Sequence, residues 1–248
     1  MRPRYLVPLA LCVLAVLGGD ACKAQDDQPL QILRVLPPAV GSAGACGGGT
    51  EFISTGVLDL TLVRLFDRGY VLFPVVLNRE LSNTASNGGV ESNRVTVTGA
   101  DVDLCFDDAC SAMFGLAQNE QHFRQILYVV IDPQGQATIP VDLIRATTAQ
   151  KIATANAGDV TALVTLKMVG TSNENTVRSN SMKFAIRICT SCLVNDIGAC
   201  CRPALNVGLC NPVQDAVIDC CKDSSGATIC PARQIGPASC TASDAGAP

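Results

Sequence analysis

The chain has 248 residues, of which 48% are hydrophobic and 16% charged, enough to bury a sizeable core, which excludes wholesale disorder. Its formal net charge is −4, its cations are scattered and it contains no Trp, so it offers neither an electrostatic stripe nor a stacking platform and a nucleic-acid partner is not expected. Fourteen cysteines would be an odd load in a reducing cytosol and point to a compartment where disulfides persist.

At the start, Arg2 and Arg4 precede an apolar run over residues 5–17, which breaks at Gly18-Gly19-Asp20-Ala21-Cys22. That is the layout of a cleaved export signal over residues 1–21. The run is shorter than the roughly 20 apolar residues of a membrane span. Cys22 stands where a bacterial lipoprotein carries its lipidated first residue. The small Ala21 before it fits, whereas Gly19 replaces the usual leucine and Asp20 is unusual. With Cys12 lost in the signal and Cys22 lipidated, an even set remains: Cys46, Cys105, Cys110, Cys189, Cys192, Cys200, Cys201, Cys210, Cys220, Cys221, Cys230 and Cys240. Cleavage after Ala24 also leaves an even set, and cleavage after Ala21 strands one thiol. Residues 22–50, with Pro37-Pro38 and a glycine-rich end, read as a flexible tether holding one short strand over 30–36.

Residues 51–188 change to short runs rich in Val, Ile, Leu and Thr with period-two alternation. Strands are expected over 56–66 (Leu58, Leu60 and Leu62 inward, Asp59 and Thr61 outward), 70–77, 94–98, 101–106, 125–132, 160–169 and 177–188. Asp132-Pro133-Gln134-Gly135 supplies a turn, and residues 171–175 join two long runs as a hairpin. One helix is expected over 141–153, entered by Pro140. Strands in this number with short connections predict an all-β fold, an antiparallel Ig-like β-sandwich.

Residues 189–248 read as a disulfide-rich, loop-dominated appendix. Cys200-Cys201, Cys210, Cys220-Cys221, Cys230 and Cys240 recur with a period of about 20 residues, and Gln214 matches Gln234 across that period. So little apolar filling calls for cross-links in place of burial. Adjacent cysteines strain the peptide when bonded to each other, so each is expected to bridge outward. The simplest arrangement bonds Cys105 to Cys110 and clips Cys46 to the C-terminal region.

The stretch 160–194, ending in Phe184-Ala-Ile-Arg-Ile-Cys189-Thr-Ser-Cys192-Leu-Val, together with Cys210-Asn-Pro-Val-Gln-Asp-Ala-Val-Ile-Asp-Cys220-Cys221 and the strand Pro74-Val75-Val76-Leu77-Asn78, resembles a family of cysteine-rich bacterial predicted lipoproteins of unassigned activity. The resemblance implies export, a lipid anchor and a β-rich body. It brings no catalytic residue.

Four candidate sites compete with plainer readings. Cys189-Thr-Ser-Cys192 has thioredoxin-like spacing but follows a long strand, so a structural disulfide is expected rather than redox chemistry. Zinc on the same cysteines is disfavoured by the oxidising setting and the absence of a nearby histidine. Asp101, Asp103, Asp107 and Asp108 could offer oxygens to calcium, yet alternation simply points Asp101 and Asp103 to solvent. His122, the only histidine, lies in a polar stretch without a hydrolase motif, so a solvated role is expected. No cofactor, metal or catalytic residue is expected. The chain reads as a cell-envelope lipoprotein of the outer membrane or periplasm, held to the membrane through Cys22, a binding or structural module for an envelope protein or extracellular ligand. The alternatives are a freely secreted interaction protein, or an enzyme if Asp107, Asp108, Glu120 and His122 converge in a pocket. The expected contact loops are 81–93 and 113–124.

Overall fold

A computed structural model describes residues 28–40, 45–82, 93–199, 210–222 and 225–230. The export signal, Cys22, Cys200, Cys201, Cys240, tether positions 22–27 and 41–44, and positions 83–92 of the expected contact loop lie outside the described residues.

The fold is mostly β. Period-two sequences form the large sheet, in the order β4 (Thr55–Asp59), β12 (Met182–Cys189), β10 (Val160–Ser172), β6 (Val95–Cys105) and β7 (His122–Ile131), with β11 (Asn175–Arg178) also on β10. The second sheet runs β1 (Leu30–Leu36), β5 (Tyr70–Asn78), β8 (Gln136–Thr138), with β9 (Val141–Ile144) also on β5. Two small sheets add β2 (Pro38–Val40) with β3 (Cys46–Gly48), and β13 (Val194–Ala199), β14 (Ile218–Lys222) and β15 (Thr228–Ile229). Against the expectation of wholly antiparallel pairing, the β4–β12 and β13–β14 ladders are parallel.

Among the described residues three helices interrupt the strands. The expected strand over 56–66 is corrected: it stops at Asp59 and continues as α1 (Leu60–Phe66), because the Asp59 carboxylate accepts from the amides of Thr61 and Leu62 and caps a helix there. Leu58, Leu60 and Leu62 are buried either way, so alternation over so few residues cannot separate the two conformations. Asp59 itself is fully buried, not outward. The expected helix over 141–153 is also corrected. Residues Val141–Ile144 pair with β5 as β9, and the helix begins only at Ala146; it is α3 (Ala146–Thr154), the short α2 being Gln118–Gln121. Val141 and Ile144 are β-branched and favour the sheet, and the open edge of β5 receives the segment. The two runs expected at 94–98 and 101–106 merge into one strand, β6, whose register shifts between Val97 and Gly99 where a break was expected.

Turns form where expected. Gly135 N donates to Asp132 O at 2.9 Å with Gln134 at φ 59°, and Asn173 and Glu174 both take positive φ between the paired Ser172 and Asn175, the twist a two-residue hairpin needs. Both sheets and the helices share one apolar cluster, including Leu30, Leu58, Leu72, Val102, Leu143, Ile152, Val164 and Ile186. Val213, Ile218 and Cys220 of the cysteine-rich region belong to the same cluster, so the described part of that region is packed onto the body as well as cross-linked to it.

Candidate functional site

A densely bonded polar site lies where residues 210–215 enter the body between the two sheets. This segment adds a partial strand to the free edge of β4: Asp59 N donates to Val213 O (3.0 Å), Asp215 N to Val57 O (3.1 Å), and Val57 N to the Asp215 carboxylate (2.8 Å). Toward the other sheet it presents the Gln214 side chain. Its Oε1 accepts from Val71 N (2.8 Å) and its Nε2 donates to Val71 O (2.9 Å), so a carboxamide takes the place of a strand residue beside β5. Asn211 Nδ2 donates to Gly69 O and to Gln214 Oε1. The disulfide Cys46–Cys210 anchors the start of the segment, its ends 164 positions apart in sequence. Asn180 repeats the same device at β1, accepting from Ile32 N (2.7 Å) and donating to Ile32 O (3.3 Å).

Beneath Gln214, the Tyr70 hydroxyl donates to the Asp215 carboxylate at 2.7 Å. Burial pushes the Asp215 carboxyl above the ordinary carboxylate range, against the bonds from Val57 N, Tyr70 and Gln214 that favour its charge. Burial, followed by the charge and hydrogen bond of Asp215, drives the Tyr70 phenol far upward, so it remains a donor at any physiological pH. Gly56 permits this arrangement, because a Cβ there would occupy the space of the Tyr70 hydroxyl.

A second hub ties β12 to α1. The buried Asp59 carboxylate accepts from Ser191 N (3.1 Å) and Leu193 N (2.7 Å) as well as from Thr61 N and Leu62 N. Cys189 and Cys192 are bonded to each other around this loop.

A polar recess of about 250 Å³ adjoins the latch, lined by Asp67, Arg68, Gly69, Asp142, Arg145 and Asn211 among others. Burial raises the Asp142 carboxyl and the charge of Arg145 opposes this. The Arg145 guanidinium lies over the Phe123 ring, 3.9 Å from its centroid. Of the lining side chains, Arg145 is thus stacked on Phe123 and Asn211 is bonded to Gly69 and Gln214.

The acidic and histidine candidates of the sequence do not converge. Asp101 makes a two-pronged contact with Arg124 (2.6 and 2.9 Å), Asp103 faces His122 Nδ1 (3.0 Å), Asp107 accepts from Ser111 N, and Glu120 accepts from Ala117 N and pairs with Lys151. The Arg124 guanidinium holds the Asp101 carboxyl below its usual range, and Lys151 does the same for Glu120. None of Asp107, Asp108, Glu120 and His122 lines the recess, and among the described residues no group of three or more His, Cys, Asp or Glu is placed to hold a metal ion. The expected contact loop over 113–124 contains α2 and the start of β7, with Gln121 buried and donating to Ser111 O.

Cys105 bonds Cys110, Cys220 bonds Cys230, and Cys221 is disulfide-bonded in turn. With Cys46, Cys189, Cys192 and Cys210, every described cysteine is oxidised, which points to an oxidising, extracytoplasmic compartment. Among the described residues no helix is long and apolar enough to cross a membrane. No protein-family profile and no curated protein matches the chain. What fold and site define together is a β-rich, disulfide-bonded protein whose C-terminal region is latched across two sheets.

Alternation alone points Asp59 outward, whereas it is buried, and nothing local in the sequence marks Tyr70, Gln214 and Asp215 as partners. The sequence signal that bears on this latch is the expected clip from Cys46 to the C-terminal region, which falls on Cys210.

Proposed function

We propose that the chain is an exported binding or structural module of the bacterial cell envelope, a β-sandwich of Ig-like character with a disulfide-stapled C-terminal region, tethered to the outer membrane through lipid on Cys22. The observation that carries this reading is the latch at residues 210–215. Cys46–Cys210, the Gln214 carboxamide and the Asp215–Tyr70 bond tie the distal part of the chain to the body at several independent points. Such cross-linking suits a domain that must stay folded outside the cell without chaperones, and it serves presentation of a rigid surface. The resemblance to cysteine-rich predicted lipoproteins and the residues around Cys22 support the anchor, and the several acyl chains usual on such a cysteine embed firmly. A freely secreted module is the alternative occupant of the same reading.

The test is the intact mass of the protein from native membranes, before and after reduction with alkylation. A lipidated Cys22 with all other thiols oxidised is expected. Free thiols among the described cysteines, or a chain absent from the membrane fraction and carrying no lipid, would sink the lipoprotein reading.

A further inference from the structure

The strand β7 closes one edge of the large sheet, and among the described residues it pairs with β6 alone. Every second backbone N–H and C=O along it therefore faces the open side. Ten residues long, it contains neither Pro nor Lys, the usual means of blunting an edge; its only irregularity is the register shift opposite Val97 and Gly99. Its outward row is apolar in the middle: Ile126 is 87% exposed, Tyr128 80% and Val130 48%. The inward row of Phe123, Leu127 and Val129 packs on the core but stays only partly buried, as it would at an edge that lacks a neighbour. Arg124 and Asp132 stand at the two ends of the row, paired with Asp101 and Arg94 respectively.

We infer that this edge takes a second copy of the same chain, the two β7 strands pairing antiparallel about a two-fold axis at Tyr128. The charges select this register. With Tyr128 opposite itself, Ile126 meets Val130 of the second copy and Arg124 meets Asp132 of the second copy, so that Asp101, Arg124, Asp132 and Arg94 form a row of alternating sign across the joint. Centring the axis on Leu127 instead sets Arg124 against Val130, and centring it on Val129 sets Asp132 against Ile126. Such a contact is self-complementary and closes on itself, so the two large sheets become one sheet without offering a further edge of this kind. The inference does not depend on lipidation or on export, since it needs only β7 and its ends.

The experiment is sedimentation velocity on the oxidised full chain purified from its native host, over a wide concentration series. A reversible dimer is expected. Tyr128→Lys places two like charges face to face at the axis and is expected to weaken association by at least about tenfold. Arg124→Asp and Asp132→Arg should each weaken it, whereas the double exchange restores it to within about threefold of the original, because opposite charges again face each other. All three positions are at the surface, and circular dichroism verifies the fold of each variant. A wild-type chain that stays monomeric throughout, including one that instead accepts a strand from a different protein, overturns the assignment. So does a dimer indifferent to Tyr128→Lys, or a double exchange no better than its single components.

Discussion

The carboxamide of Gln214 and the backbone of Val71 form a two-way hydrogen-bonded pair, 143 residues apart in sequence, with Val71 N donating at 2.8 Å and Val71 O accepting at 2.9 Å. A single side chain thereby satisfies the edge of β5 where no strand reaches it, and carries the C-terminal region into the body.

Replacing Gln214 by Ala should therefore destabilise the fold by about 1–3 kcal/mol, since both Val71 groups lose their partner in a part-buried setting. Thermal unfolding monitored by near-ultraviolet dichroism reports this. An unchanged midpoint would mean that water replaces the carboxamide at no cost.

Asp59 is expected to be the more sensitive position. Its carboxylate serves four backbone amides, from α1 and from the Cys189–Cys192 loop. Asp59→Ala leaves those donors without their acceptor, an effect on the order of 3 kcal/mol or more. Asp59→Asn, which keeps one acceptor oxygen in place, should lose less. Denaturant midpoints for the pair of variants rank the two, and equal losses would contradict the assignment of the hub to hydrogen bonding.

Gly56→Ala should cost about 1–3 kcal/mol through steric conflict with the Tyr70 hydroxyl. A second readout is tyrosine absorbance, because the phenol must leave Asp215. If Gly56→Ala proved as stable as wild type, the close approach of β4 to Tyr70 would be wrong.

The pH dependence of stability carries a signature of Asp215. Its carboxyl is raised above the ordinary value of 3.8 in the folded state, so over the interval between the two values the folded chain binds more protons than the unfolded one. That contribution to stability is full below the ordinary carboxyl range and falls away as pH rises through the raised value. Asp101 acts in the opposite sense: held low by Arg124, it contributes stability at neutral pH that is lost as pH falls, discounted because the pair is largely exposed. Denaturation curves carried from neutral pH down to well below the ordinary carboxyl range should show Asp215→Asn removing the first slope, on the mildly acidic side, and leaving the second, in strong acid.

Removing the Cys46–Cys210 link as a double Ser variant should cost about 2–5 kcal/mol, given the length of chain it closes. Limited proteolysis adds a local measure: cleavage after residue 210 should accelerate more than cleavage within the large sheet. Uniform acceleration would show that the link stabilises the whole body rather than the latch.

What the sequence determined by itself is what depends on neighbours along the chain. Short runs rich in Val, Ile, Leu and Thr mark β5, β10 and β12, the Asp132–Gly135 turn follows from a preset proline φ, and the cysteine load indicates an oxidising compartment. Tertiary structure decided whatever depends on partners far away in sequence. Leu58, Leu60 and Leu62 satisfy a strand and a helical turn equally well, and the choice falls to Asp59, whose carboxylate finds amides at Ser191 and Leu193 as well as in its own helix. Val141–Ile144 becomes a strand because β5 has a free edge to fill. Gln214 and Asp215 look like solvated residues of a cysteine loop until Val71, Val57 and Tyr70 are brought beside them. Local propensity and alternation are encoded residue by residue, whereas satisfaction of buried polar groups is a property of the assembled fold.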